Sequence, residues 1–238
     1  MSEADFPVRV RGHREPAPSR ALWLVKWLLL IPHYIVLAVL WFVVGLVTIV
    51  AFFAILVTAR YPKPLFDFTS GVLRWSWRVS YYGYSALSTD RYPPFTLRDV
   101  PDYPAGLEIA YPQRLSRGLV LVKWWLLVLP QYAILAAFTG GSYTVYQTAP
   151  GNGGVLNVGV PGLLSLLVLF AAVALLFTGR YPAGLFALVM GVNRWILRVS
   201  GYALLLTDTY PPFRLDLGGE EPEPAADQTP ADTDRDQG

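Results

Sequence analysis

The chain has no cysteine, which excludes disulfides, thiolate catalysis and cysteine metal sites, and leaves redox usage silent about the compartment. Its two histidines, His13 and His33, are too few for a zinc cage. Charge is scarce, at 15% of residues against 54% apolar. No phosphate loop, HExxH, G-x-S-x-G elbow or EF-hand spacing occurs. A signal-peptide pattern is also missing: the first eighteen residues are polar, and the apolar run that follows is too long and lacks a small-residue cleavage site, so the start is expected to be retained. No cofactor, metal or nucleic-acid partner is expected.

What is present is apolar and contiguous. From Leu22 to Thr58 the chain is almost uncharged, with Lys26 near its start and Pro32 inside. As one helix this run would measure roughly 55 Å, against a hydrocarbon core of about 30 Å. An integral membrane protein is the reading that follows.

The chain is written twice. LVKWLLLIPHY (Leu24 to Tyr34) returns as LVKWWLLVLPQY (Leu121 to Tyr132), offset by 97 residues and then by 98 at the proline; by RYP and RWxxRVS the offset is 120. About 22 residues are therefore inserted in the second copy, visible as the Gly-rich polar stretch Thr139 to Val160. Such a stretch is expected to leave the membrane, because lipid cannot satisfy an irregular backbone. The alignment then predicts a turn in the first copy near Trp41 to Gly45, and four spans, two per repeat. The Lys and Arg residues all fall outside the two hairpin tips, so the positive-inside rule predicts a multi-pass protein of the cytoplasmic membrane with both termini cytoplasmic.

The expected fold class is thus all-α membrane protein: two tandem repeats, each a transmembrane helical hairpin plus an amphipathic helix at the cytoplasmic interface, with short cytoplasmic β segments. The boundaries are a polar N-terminal segment over 1–19, repeat one over 20–98, repeat two over 99–216 with its extracytoplasmic loop at 139–160, and a disordered acidic tail over 217–238. Phe6, Val8 and Val10 alternate with polar residues as a short strand would, and Leu107 to Tyr111 holds the same place before repeat two. FTL and FRL, at 95–97 and 213–215, read as strands that pair the end of each repeat with its start. Pro64 to Leu87 and Gly184 to Leu206 read as the interface helices, with a full span holding buried arginines as the alternative.

The motifs VKWLLLIPHY, RYPKPLFDF, RWSWRV and DRYPPF, with their second copies VKWWLLVLPQY, RYPAGLF, RWILRV and DTYPPF, resemble a family of bacterial membrane proteins known as the domain of unknown function numbered 4389. The resemblance covers Leu22 to Leu97 and Leu119 to Leu215. It implies a membrane location and tandem copies, and no activity. Repeat two departs from repeat one at Gln131 for His33, Ala187 for Asp67 and Ile196 for Ser76.

No catalytic residue is named. Arg74, Arg78, Arg194 and Arg198, with Trp75 and Trp195, are the candidates for binding lipid or a partner, since guanidinium groups one turn apart can fork onto lipid phosphate; internal pairing and snorkelling are the alternatives. Structural roles fall to Arg60, Tyr61 and Pro62 with Arg180, Tyr181 and Pro182, which close the hairpins. Asp90, Tyr92, Pro93, Pro94 and Phe95, with Asp208, Tyr210, Pro211, Pro212 and Phe213, end the helices. The aspartates are expected to cap a turn or pair with arginine. Lys26 and Lys123 are expected to snorkel, His33 and Gln131 to cap a kinked helix, and the tryptophans to anchor at the interface. The function expected is a non-enzymatic scaffold or accessory subunit, with a basic aromatic cytoplasmic face for anionic lipid or a membrane or cytoplasmic protein partner. The competing reading is a small transporter or lipid-handling protein using the cleft between repeats.

Overall fold

The structure, a computed structural model, describes residues 6–15, 19, 21–147 and 154–216. The expected disordered tail lies outside the described residues. The order is β1 (Val8–Gly12), α1 (Trp23–Thr58), α2 (Lys63–Tyr82), β2 (Ala105–Ile109), α3 (Arg117–Val122), a π-helical turn (Lys123–Leu127), α4 (Leu129–Thr139), β3 (Gly140–Gln147), β4 (Gly154–Pro161), α5 (Leu163–Thr178) and α6 (Ala183–Ala203).

The expected turn at Trp41 to Gly45 does not form: α1 runs unbroken for 36 residues, about 54 Å. Trp-Phe-Val-Val-Gly holds one glycine and no capping residue, and a lone helical glycine costs only about 1 kcal/mol relative to alanine. The hairpin in each repeat is instead α1 against α2, and α3 to α5 against α6. Ala59, in the left-handed region at φ 56°, ends α1, and the prolines at 62 and 64 open α2. Gly179 at φ 68° and Pro182 repeat the device before α6.

Repeat two is the same unit with two insertions. The one extra residue between Lys123 and Pro130 is taken up by the π turn, whose wider ring admits it without breaking the helix. The 22 residues between Thr139 and Gly162 form a β-hairpin, Gly140 pairing with Pro161 and Gln147 with Gly154. Where a Gly-rich loop is expected, the backbone satisfies its own polar groups as a two-stranded ladder; the tip lies outside the described residues. The ends of the insertion meet: a Cβ on Gly162 would fall 2.2 Å from the Gly140 nitrogen and 2.3 Å from the Phe138 carbonyl oxygen.

Packing is in layers. β1 and β2 form an antiparallel pair. Val8, Val10, Ala105, Leu107 and Ile109 point inward from it, while Arg9, Arg11 and Glu108 are exposed. The inner face rests on α2 and α6 in a core with Trp77, Tyr81, Val189 and Met190. Val72, Trp75, Val79 and Tyr82, on another face of α2, pack against Leu30, Leu37 and Val44 of α1. So α2 is sandwiched between sheet and long helix, with both of these faces covered by protein. FTL and FRL do not pair as strands, because α2 and α6 arginines take their neighbouring carbonyls, and β1 pairs with its own repeat counterpart instead.

That pairing defines a pseudo-twofold axis. Val10 lies opposite Leu107, its equivalent 97 residues on; Val8 lies opposite Ile109, and Gly12 opposite Ala105. The local twofold of an antiparallel ladder is perpendicular to the sheet, and it relates the two repeats.

Candidate functional site

The start of each long helix builds one buried corner, made twice. Lys26, 1% exposed, donates to the Thr89 carbonyl at 2.6 Å, pairs with Asp90 at 3.0 Å and lies 4.6 Å from the centre of the Tyr82 ring. Lys123, also buried, donates to the Thr207 carbonyl at 2.7 Å, pairs with Asp208 at 2.7 Å and lies 4.6 Å from the Tyr202 ring. The other oxygen of each aspartate accepts a backbone N–H, from Ser19 and Ser116 respectively. Both lysines are therefore locked rather than snorkelled, and the aspartates pair with lysine rather than arginine. The aspartate that matters is remote in sequence, 64 residues on from Lys26 and 85 on from Lys123.

The four candidate arginines face the sheet side, not a surface. Arg74 donates from Nε to the Leu107 carbonyl (2.9 Å) and from a terminal nitrogen to the Leu97 carbonyl (3.0 Å). Arg78, with no exposed surface, donates to the Arg98 carbonyl at 2.9 Å and to that of Thr96. Arg194 reaches the carbonyls of Asp216 and Val10, the latter at 3.4 Å, and Arg198 pairs with the Asp216 carboxylate. The symmetry is kept here too, since Leu107 and Val10 are the paired residues on the axis. Gly71 lets the 96–98 segment approach α2, because a Cβ there would lie 3.0 Å from the Leu97 carbonyl oxygen. Burial, and after it the Arg74 charge, lowers the Arg78 pKa from its usual value, yet arginine stays protonated at neutral pH. Backbone carbonyls and the Asp216 carboxylate thus occupy donors that lipid phosphate would need.

Of the aromatic candidates, Trp75 and Trp195 are buried, at 4% and 2% exposure. Trp75 donates from Nε1 to His33 Nδ1 at 3.2 Å, and Phe95 stacks on the imidazole at 3.9 Å between ring centres, with Tyr92 at 5.0 Å. So the YPPF segment folds back onto the long helix. In repeat two Gln131 donates to the Pro211 carbonyl at 3.1 Å. Tyr61 is buried in the RYP corner, its carbonyl accepting from Tyr111 at 2.6 Å; Tyr181 is buried in the matching place. Arg60 and Arg180, beside them, are exposed, as is Arg117 at the start of α3. Arg60 and Arg180 are expected from sequence only to close the hairpins, and Arg117 has no expected role; their position at the ends of apolar helices is the signal that sets the three apart.

Helices α1 and α5 carry an extensive exposed apolar surface. On α1 only a narrow seam is buried (Lys26, Leu30, His33, Leu37, Val44, Ala51 and Ile55), at the spacing of three and four residues of a coiled-coil stripe. Most of the rest is exposed, including Val39 at 61%, Phe42 at 71%, Phe53 at 59% and Val57 at 72%; α5 does the same with Leu169, Phe170 and Phe177. By length and composition α1 and α6 could each cross a membrane, but the most apolar window of α1 is 17% buried and that of α6 is 61% buried. Helix α6 is a core helix and α1 a surface one. Exposed apolar area of this extent marks an interaction surface.

Two clefts lie at the boundary of the repeats. One, of about 400 Å³, is lined by Thr48, Ile49, Phe52 and Phe53 of α1 with Tyr132, Ala203 and Leu205 of repeat two. The other, of about 360 Å³, is lined by Val168, Leu169 and Ala172 of α5 with Trp23, Tyr84 and Leu87 of repeat one. They are the same cleft made twice. Leu87 and Leu205 both hold positive φ, 53° and 63°, a strained choice for leucine.

No curated protein and no solved structure matches the chain. The family described as domain of unknown function (DUF4389) matches residues 20–96, in repeat one, and 156–214, the later part of repeat two from within β4 through α6. With more than half of its length matched, in one segment from each repeat, the chain belongs to the DUF4389 family.

Proposed function

We propose that the protein is a membrane-embedded scaffold or accessory subunit that acts by holding lipid or a protein partner rather than by catalysis. The observation that carries this reading is the apolar face of α1 and α5, exposed along both helices while every candidate ligand-binding arginine on α2 and α6 is committed inward. The basic face for anionic headgroups is then formed by Arg60, Lys63, Arg117 and Arg180 at the helix ends, on the cytoplasmic side. Two tests apply. Washing membranes at high pH and high salt leaves the protein in the pellet; its release into the wash would refute membrane embedding. Arg60→Glu with Arg180→Glu lowers the anionic phospholipid that copurifies in mild detergent, and an unchanged lipid content would refute the headgroup contact.

A second reading, lipid handling, is favoured by the duplicated clefts, each lined by a strained leucine. It predicts that Ile49→Trp and Leu169→Trp, which fill the clefts, displace a bound acyl chain. Identical lipid content in the variants would remove it.

A further inference from the structure

We infer that the protein lies in one leaflet of the bilayer, its two long helices parallel to the membrane plane and its β1–β2 sheet in the water beside it. The inference rests on the membrane reading above and replaces the expected multi-pass topology.

Three observations combine. First, the molecule is ordered along the twofold: charged sheet, then α2 and α6, then α1 and α4–α5 with their apolar faces outward. Arg9, Arg11 and Glu108 on the outer face of the sheet must sit in water, so the helices in the second layer sit at the boundary and the third layer enters lipid. Second, the long helices run antiparallel. Trp23 at the start of α1 lines a cleft with α5, whereas Thr48 to Phe53, later in α1, line the matching cleft with Tyr132 of α4. An antiparallel pair is related by a twofold only when the axis is perpendicular to both helices.

Third, the two possible orientations have different consequences. If the long helices crossed the bilayer, the axis would lie in the membrane plane; Arg60 and Arg180 would fall on opposite sides, against the positive-inside rule, and the charged sheet would sit at mid-bilayer depth. If they lie flat, the axis is the membrane normal, and Arg60, Lys63, Arg117 and Arg180 share one side. Length agrees. A helix of about 54 Å crossing a core of about 30 Å must tilt by roughly 56°, beyond the usual range of about 0–40°. Lying flat, a helix about 10–12 Å across fits within one leaflet, about half of that core. Trp27, Tyr34 and Tyr132, all exposed, then sit where aromatic side chains favour the headgroup boundary.

The cysteine-free chain allows a clean test in sealed vesicles with full-length protein. Single cysteines replace Glu108 on the sheet, Ala21 and Arg60 at the two ends of α1, and Gly45 at its middle, where a side chain would meet nothing within 4 Å. A membrane-impermeant maleimide is expected to label Glu108→Cys, Ala21→Cys and Arg60→Cys from the same side, and Gly45→Cys from neither side until detergent is added. A bimane on Val39→Cys and one on Phe53→Cys is expected to be quenched by the same depth-graded lipid. Labelling of Ala21→Cys and Arg60→Cys from opposite sides means a crossing helix and overturns the inference. Labelling of Gly45→Cys from the far side overturns it as well, and so does free labelling of Gly45→Cys from the near side, which would put protein or water against that face. A protein washed off membranes refutes the membrane reading itself; one that stays embedded with oppositely labelled ends refutes only the flat orientation.

Discussion

Asp90→Asn is the sharpest single perturbation, because it removes a charge without removing volume. At 3.0 Å, and with an effective dielectric near 20, the Lys26–Asp90 attraction is roughly 5–6 kcal/mol before desolvation is subtracted. Lys26 is 1% exposed and cannot recover water, while Asp90, 24% exposed, keeps part of its hydration. Breaking a fully buried pair costs about 3–5 kcal/mol. The partial exposure of Asp90, and the Thr89 carbonyl and Tyr82 ring that remain around the ammonium, bring the expectation down to about 2–3 kcal/mol. For a chain of this size that is a fall in Tm of about 4–12 °C, measured by tryptophan fluorescence in detergent. Removing both charges with Lys26→Met and Asp90→Asn leaves no stranded ammonium and should restore more than half of the loss. Repeat two supplies an internal replicate: Asp208→Asn strands Lys123 in the same way and should cost the same. An Asp90→Asn protein melting within 2 °C of the parent would refute the reasoning, as would a double variant less stable than the single.

Excising Gly140 to Pro161 and joining Thr139 to Gly162 should give a folded protein with one long helix in repeat two, as in repeat one; a chain that no longer shows a cooperative helical melt by circular dichroism would contradict this. Arg78→Met leaves the Thr96 and Arg98 carbonyls without their donor and should destabilise by about 2–4 kcal/mol, with Arg78→Lys recovering only part, read as Tm. Tyr81, Tyr103 and Tyr181 have pKa values raised by burial from the ordinary value of 10.0. Their contribution to stability is fully present below pH 10 and lost as pH rises further, so alkaline unfolding should coincide with delayed tyrosinate absorbance; titration of every tyrosine near pH 10 in the folded protein would refute it.

How far the sequence could be read depended on the range of the interaction concerned. The repeats, the RYP corners, the helix over Lys63–Tyr82 and the strand at Val8–Gly12 rest on local pattern, and they were legible. The unbroken course of α1 is not, because an insertion that leaves its flanking helices in line gives the same alignment as one at a turn that both copies share. The fate of Arg74, Arg78, Arg194 and Arg198 was hidden for another reason. Their acceptors are main-chain carbonyls on segments without regular structure, and carbonyls leave no mark in a residue string. Likewise, apolar periodicity reports that a helix is covered, but not whether protein or lipid covers it.

The pairing of Val10 with Leu107 has a further consequence. An element that pairs with its own counterpart across a twofold needs no second gene segment: it needs a second copy of itself. A chain carrying one repeat alone would expose β1 as an unpaired edge of the kind that recruits a strand, and the strand with the right register is another β1. Such a half-length protein would assemble as a symmetric homodimer. In the full chain the residues from Asp99 to Pro104, between the 96–98 segment and β2, then act as a covalent tether between two subunits, raising their effective concentration and freeing each half to diverge, as Gln131 has from His33 and as the hairpin after Thr139 has from α1.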